Sequence, residues 1–286
     1  MQAMKWYAIT LSPADPALSS DALDGICAEL MERGALGTTV ERAPEITCYI
    51  QGDAQAIEGF VARLGDLPCS IQATKEVSES NWTGSCPDVW EPIHAGALVV
   101  VPVESSEDTR SVPVGALRII PGLGFGTGHH ATTRMVLSEL SAFAANTPNR
   151  SPSVFDLGTG SGILAIAAAR LFQVPVEAID IEEGAIINAK DNIALNHVEH
   201  LVSASTTPMQ DIKGSFSLIL ANLYGEVLVQ LAGHVTRVAA SGATAIVSGI
   251  TELVWDQVYE AYCEKHGWRL VRETTDSGWV CAVFER

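Results

Sequence analysis

The chain lacks a run of about 18 consecutive apolar residues, so no segment reads as a membrane-spanning helix. Its opening decapeptide, MQAMKWYAIT, lacks the apolar core of a secretory signal, and a cytoplasmic location is expected. Cys27, Cys48, Cys69, Cys86, Cys263 and Cys281 are widely separated, with no C-x-x-C pair among them. That spacing suggests neither a zinc site nor a disulfide framework, and free thiols in a reducing compartment are expected. Basic residues are scarce: 17 Lys and Arg face 34 Asp and Glu, for a net charge of −17. The deficit runs along the chain, with 5 basic against 12 acidic residues over 1–80 and 12 against 22 over 81–286, so no acidic tail explains it. Such a field disfavours nonspecific binding to nucleic acid or anionic membrane and attracts a basic partner.

What is present is a large apolar fraction, 47% of 286 residues, enough for more than one buried core. Residues 4–11 read as a strand. Leu18, Ala22, Ile26 and Leu30 then recur at helical spacing behind Pro16 and Ser19. ALGTTVE and ITCYIQG follow as short strands, then a helix over 53–64 and a last strand, SIQATKEV. This β-α-β-β-α-β order predicts a small ferredoxin-like α+β domain over 1–79. Residues 80–120 read as a linker with two leading strands, ALVVVPV and ALRII, around a polar loop at 104–111. From 121 to 286 strands and helices alternate, with strands near 153–156, 175–180, 200–204, 216–221 and 243–248. Alternation of this kind predicts an α/β, Rossmann-like doubly wound parallel sheet. The final two strands, WRLVRETT and GWVCAVFE, are separated only by Asp276–Ser277 and must form an antiparallel hairpin at the sheet's edge.

The stretch VFDLGTGSGILAIAAARL (154–171) reads as strand, glycine turn and helix. Gly158, Gly160 and Gly162 permit a tight turn and close approach of helix amides to a ligand. The nicotinamide fingerprint G-x-G-x-x-G fails, because its last position is Ile163; the P-loop fails because no Lys-Ser/Thr follows. What remains is D-x-G-x-G-x-G, starting at Asp156. The next strand ends VEAIDI, which puts Asp180 and Ile181 at the carboxyl edge beside the turn. A carboxylate there suits the cis-diol of a ribose. An adenosine compound without pyrophosphate fits, S-adenosylmethionine among them; an incidental glycine turn is the alternative.

A later strand ends LILANLYGEV, so Asn222 emerges with Leu223 and Tyr224 across the switch point from the glycine turn. Asn222 either accepts hydrogen bonds from an attacking amine or serves as a turn former or helix cap. The segment PGLGFGTGHHATTR (121–134) leads into an apolar helix. Thr132 or Thr133 caps that helix, reaches a ligand, or does both as a pair. Phe125 packs over the ligand or joins the core. No metal is expected at His129–His130, since adjacent side chains diverge and no Cys or carboxylate lies nearby in sequence. The loop is expected to close over the same ligand.

Taken in order, MKWYAIT, ELMERGALG, PGLGFGTGHHATT, DLGTGSGILAIAAARL, DIEEGAIINAKDN, ANLYGEVL and GWVCAVFE resemble the ribosomal protein L11 methyltransferases, the PrmA family. The resemblance spans nearly the whole chain. It implies a class I methyltransferase domain with S-adenosylmethionine as methyl donor. The implied substrate is a basic large-subunit ribosomal protein, methylated on lysines and its N-terminal α-amine, and the small domain would recognise it. It places donor contacts on Thr133, Gly158, Asp180 and Asn222. With the readings above, the expected donor set is Phe125, Gly126, Thr127, Thr133, Asp156, Gly158, Gly160, Gly162, Asp180, Ile181 and Asn222. Asn222 and Tyr224 are the expected catalytic residues, with no metal and no direct nucleic-acid or membrane contact. The chain departs from the family's usual residues at Ile120, His129, Ala131 and Leu223–Tyr224. A lysine of another protein, a small-molecule amine, or silent donor binding are the alternatives.

Overall fold

The structure, a computed structural model, describes residues 5–15, 18, 23, 26–27, 29–30, 33–35, 37–42, 44–65, 67–77, 92–106, 108, 112–121, 130–148 and 150–286. Two compact units divide the chain, Met1–Pro87 and Asp88–Arg286.

In the first unit, strands β1 (Lys5–Pro13), β2 (Gly37–Arg42), β3 (Glu45–Gly52) and β4 (Cys69–Val77) form one sheet. Their order is β2-β3-β1-β4, and every pair is antiparallel. Alternation along the strands puts Ile9, Leu11, Ile46, Cys48 and Ile50 into one core. Helix α1 (Ala54–Leu64) covers it with Phe60 and Leu64. Asp53 starts that helix by accepting the Ala56 N–H at 3.0 Å, as a capping carboxylate does. Of the helix expected after β1, Leu23, Ile26 and Leu30 are helical and join the same core. Ala22 lies outside the described residues.

The second unit begins with a three-stranded sheet, β5 (Ile93–Ala95), β6 (Leu98–Pro102) and β7 (Leu117–Ile119). Sequence reasoning found the last two and missed β5, which is only three residues long and follows Pro92. Helix α2 (Ala131–Asn146) then leads into a seven-stranded sheet. Its strands are β8 (Val154–Leu157), β9 (Val176–Ile179), β10 (Val202–Ser205), β11 (Phe216–Asn222), β12 (Ala239–Thr251), β13 (Arg269–Asp276) and β14 (Trp279–Glu285). Helices α3 (Ile163–Phe172), α4 (Glu183–Leu195), α5 (Gly225–Val238) and α6 (Trp255–Tyr259) follow β8, β9, β11 and β12 in turn.

The strand order is β10-β9-β8-β11-β12-β14-β13, parallel from β10 to β12. This is the class I methyltransferase fold. The terminal hairpin is antiparallel and inserts β14 between β12 and β13. Its turn lies one residue later than the sequence suggests, at Ser277–Gly278, both with positive φ (54° and 76°). A two-residue turn of that hand matches the twist of the paired strands.

Both faces of the central parallel strands β8 and β11 are buried, as parallel sheets require. Along β11, Leu218 and Leu220 enter the core under α2, α3 and α4, while Ile219 and Ala221 enter the core on the α5 side. Helix α3 is buried along Ile163–Ala169, and its run of small alanines lets it lie against the sheet and α4. This arrangement brings the carboxyl ends of β8, β9 and β11 to one edge. Among the described residues no helix is long and apolar enough to cross a membrane.

Candidate active site

Asp156, the next-to-last residue of strand β8, has a wholly buried side chain. Its Oδ2 accepts the Thr159 hydroxyl at 2.6 Å and the Ala165 N–H at 3.1 Å, so it knots the glycine turn to the first turn of α3. Burial pushes its pKa up to about 7, and the nearby Asp180 carboxylate adds to the rise, against the lowering effect of the two hydrogen bonds. The turn closes further through the Gly158 and Thr159 N–H groups, both donated to the Ile179 carbonyl at 2.9 Å. At Gly158 the backbone is left-handed (φ 73°), and a Cβ there would lie 2.4 Å from Leu223 Cδ2. Only glycine meets both conditions without strain.

Asp180 follows the last residue of β9. One carboxylate oxygen accepts the Gly160 N–H at 2.9 Å and the other the Glu182 N–H at 3.1 Å. A carboxylate offers about four acceptor positions, so each oxygen keeps capacity for a hydroxyl. Ile181, next to it, is 93% exposed.

Asn222, the last residue of β11, neither forms a turn nor caps α5, whose N-cap is Tyr224. Its Nδ2 donates to Thr133 Oγ1 at 3.0 Å, and its Oδ1 is buried with no partner among the described residues. Thr133 is buried in the first turn of α2. The cap of α2 is His130, whose ring accepts the Thr132 N–H, so neither threonine serves as the capping residue the sequence suggested. Thr132 instead pairs its hydroxyl with His130 Nδ1 at 2.8 Å, and His130 packs edge-on against Trp279 of β14. Thr133 is thereby left facing Asn222.

Leu223 packs into the cradle at Gly158, while its N–H donates to the Ser248 carbonyl at 3.0 Å. A Cβ at Gly249 (φ 87°) would lie 2.2 Å from the Leu223 carbonyl oxygen, so the loop after β11 is gripped by two glycines. Tyr224 emerges beyond it, 56% exposed. The structure thus brings Thr133, Asp156, Gly158, Gly160, Gly162, Asp180, Ile181, Asn222 and Tyr224 to the carboxyl edge of the sheet. Phe125, Gly126 and Thr127 lie outside the described residues.

A profile of the family described as ribosomal protein L11 methyltransferase (PrmA) matches residues 18–286. The chain belongs to the ribosomal protein L11 methyltransferase family. Relatives with that name include one from Trichlorobacter lovleyi, 33% identical over 87% of this chain and 88% of its own length. Another, from Pelobacter propionicus, is 32% identical over 99% of this chain and 98% of its own. The crystal structure of a ribosomal protein L11 methylase from Lactobacillus delbrueckii subsp. bulgaricus superimposes with a TM-score of 0.60. It is 26% identical and covers 69% of this chain and 98% of the other.

As a member of that family the chain is an S-adenosylmethionine-dependent methyltransferase. The edge fits such a donor. The cradle at Gly158 has no room for a side chain, Asp180 retains acceptor capacity suited to a diol, and Asn222 Oδ1 is a buried acceptor without a donor among the described residues.

One group escaped sequence reasoning. Asn188, Asn192 and Asn196 of α4 and its C-cap hydrogen-bond to the backbone at Arg118 and Ile120, and Asn192 also reaches the glycine turn. The signal was present as three asparagines spaced by four in INAKDNIALN. Asparagine is a weak helix former, so a regular helical spacing of it invites a search for partners.

Proposed function

We propose that this chain transfers methyl groups to amines of ribosomal protein L11, on lysine side chains, the N-terminal α-amine or both. The observation that carries this reading is Asn222: a buried amide oxygen without a donor among the described residues, held in place by Thr133 at the switch point of the sheet. Unsatisfied buried acceptors are costly, so one at this place is best explained by a donor group brought by substrate.

When bound, S-adenosylmethionine supplies an electrophilic methyl group on a positive sulfonium, so the protein's task is alignment. Gly158, Gly160 and Gly162 shape the floor of the donor site. Asp180 accepts the ribose hydroxyls while its bonds to Gly160 and Glu182 hold its carboxylate in place. Ile181 covers an apolar face of the donor, and Phe125, Gly126 and Thr127 belong to the same site. Asp156 acts from beneath by fastening the turn to α3.

A lysine at pH 7 must first lose a proton, which costs about 4–5 kcal/mol from an ordinary pKa of ~10.4. A pocket that excludes water lowers that cost, because burial disfavours the ammonium. Asn222 Oδ1 would accept an N–H of the neutral amine and so hold the amine nitrogen with its own lone pair free. Tyr224, at the rim, screens the acceptor from solvent. The net charge of −17 favours encounter with a basic protein in the cytoplasm, and residues 1–79 recognise it.

The test is incubation with labelled donor and purified large-subunit ribosomal proteins, followed by mass spectrometry. Label on amines of L11 is the expected result. Label confined to another protein or to a small amine overturns the substrate, and no label overturns the activity.

A further inference from the structure

Helix α4 carries its three asparagines along one line, facing the outer edge of β7. Strand β7 pairs with β6 along its other edge. Asn196 Oδ1 accepts the Arg118 N–H at 3.0 Å, and its Nδ2 donates to the Arg118 carbonyl at 2.6 Å. Asn192 repeats the pattern one step on: Oδ1 accepts the Ile120 N–H at 2.7 Å, and Nδ2 donates to the Ile120 carbonyl at 3.1 Å. Asn188 Nδ2 donates to that same carbonyl at 3.2 Å. The match has a simple origin. Four helical residues rise about 6 Å, and two strand residues rise about 6.6 Å, so side-chain amides spaced by four meet every second residue of a strand. A carboxamide carries a carbonyl acceptor and N–H donors, as a peptide group does. The helix therefore completes the edge of the strand.

Asn192 does one thing that Asn196 does not. Its Nδ2 also donates to the Ser161 carbonyl at 2.9 Å, and its side chain has no exposed surface. Ser161 sits between Gly160, whose N–H is held by Asp180, and Gly162, which opens α3. The turn has left-handed backbone at Gly158, Gly160 and Gly162 (φ 73°, 53° and 82°). Residues with so much conformational freedom keep one shape only when their surroundings impose it.

We infer that Asn192 is a positioning residue for the methyl donor, acting through the Ser161 carbonyl to set the glycine turn in register with the end of β7. It need not touch the donor. The inference rests on the reading that the glycine turn and Asp180 hold the donor.

The test compares two matched variants, Asn192→Asp and Asn196→Asp. Each keeps an acceptor for the strand N–H, loses donation to the strand carbonyl and to one further carbonyl, and introduces the same charge; the further carbonyl is that of Ser161 in the first and that of Asn192, within the helix, in the second. Titration with S-adenosylhomocysteine should show binding weakened about tenfold in Asn192→Asp and by less than about threefold in Asn196→Asp. The donor KM should rise in parallel while kcat at saturating donor stays within about twofold of wild type. Equal losses in both variants, or none in either, overturn the inference. If an Asp variant fails to fold, Asn192→Ala and Asn196→Ala replace the pair, read by the rise in melting temperature on adding S-adenosylhomocysteine. Wild-type protein is titrated first: failure there strikes the donor-site reading, not the role of Asn192.

Discussion

Thr133 Oγ1 accepts the Nδ2 hydrogen of Asn222 at 3.0 Å, joining the first turn of α2 to the end of β11 and fixing which way the amide of Asn222 points. With Nδ2 committed to Thr133, Oδ1 is the atom left for a substrate. Asn222→Ala should lower single-turnover methylation at saturating donor by roughly 10- to 150-fold, the worth of one hydrogen bond of about 1.5–3 kcal/mol made chiefly in the transition state. Thr133→Val should cost less, because it frees the amide to rotate without deleting it. Since both act through one bond, the double variant should be less impaired than the product of the two effects. A normal rate for Asn222→Ala would leave Asn222 a structural residue.

Asp180→Ala should weaken S-adenosylhomocysteine binding by about 2–4 kcal/mol, because a charge-assisted pair of ribose bonds is lost. The Gly160 and Glu182 N–H groups lose their acceptor too. Asp180→Asn, which retains one acceptor oxygen, should fall between wild type and Ala. Isothermal calorimetry separates the three, and unchanged affinity in the Ala variant would remove Asp180 from the donor site.

Gly158→Ala places a Cβ 2.4 Å from Leu223 Cδ2 at a left-handed residue. Added to Leu223→Ala it loses the clash but keeps the backbone strain, of about 1–2 kcal/mol. Donor affinity should therefore drop sharply in the single variant and recover only in part in the double one. Full recovery would mean that the conformation of Gly158 does not matter.

Asp156 gives the stability a pH dependence of definite sign. Its folded pKa of about 7 lies above the ordinary 3.8, so between these values the folded chain holds a proton that the unfolded chain has released. Stability from this group is greatest below pH 3.8 and falls as pH rises toward 7, by about 1.4 kcal/mol for each unit crossed. Asn at this position keeps an acceptor for Thr159 and Ala165 and does not titrate. The difference in urea-unfolding free energy, Asp156→Asn minus wild type, should therefore grow from pH 4 to pH 7 and then level off. A constant difference would show that burial does not raise this carboxyl.

Residues 88–286 form a compact unit that contains every described residue of the proposed donor site. A fragment with these bounds should bind S-adenosylhomocysteine with the affinity of the full chain and lose most methylation of ribosomal protein L11. Methylation at the full rate would take substrate recognition away from residues 1–79.

The parallel sheet, its terminal hairpin and the glycine turn after β8 were legible in the sequence, because each depends on local chemistry. Strand periodicity, the glycine turn after VFDL and an acid at the end of the next strand all act over a few residues, and a doubly wound sheet has few ways to arrange them. Chain-distant partners decided the rest. No local rule brings Asn222 to Thr133, 89 residues away, or makes His130 rather than a threonine cap α2. The placement of Asp156 under the turn depends on how α3 packs, and burial then moves its pKa far from its ordinary value. The asparagines of α4 were visible as a spacing, but their meaning required knowing that β7 runs beside the helix at a matching rise. Hydrogen bonds between distant segments are satisfied only once the core has fixed the distance between them, so the sequence determined the chemistry available at the site and the packing decided which atoms meet.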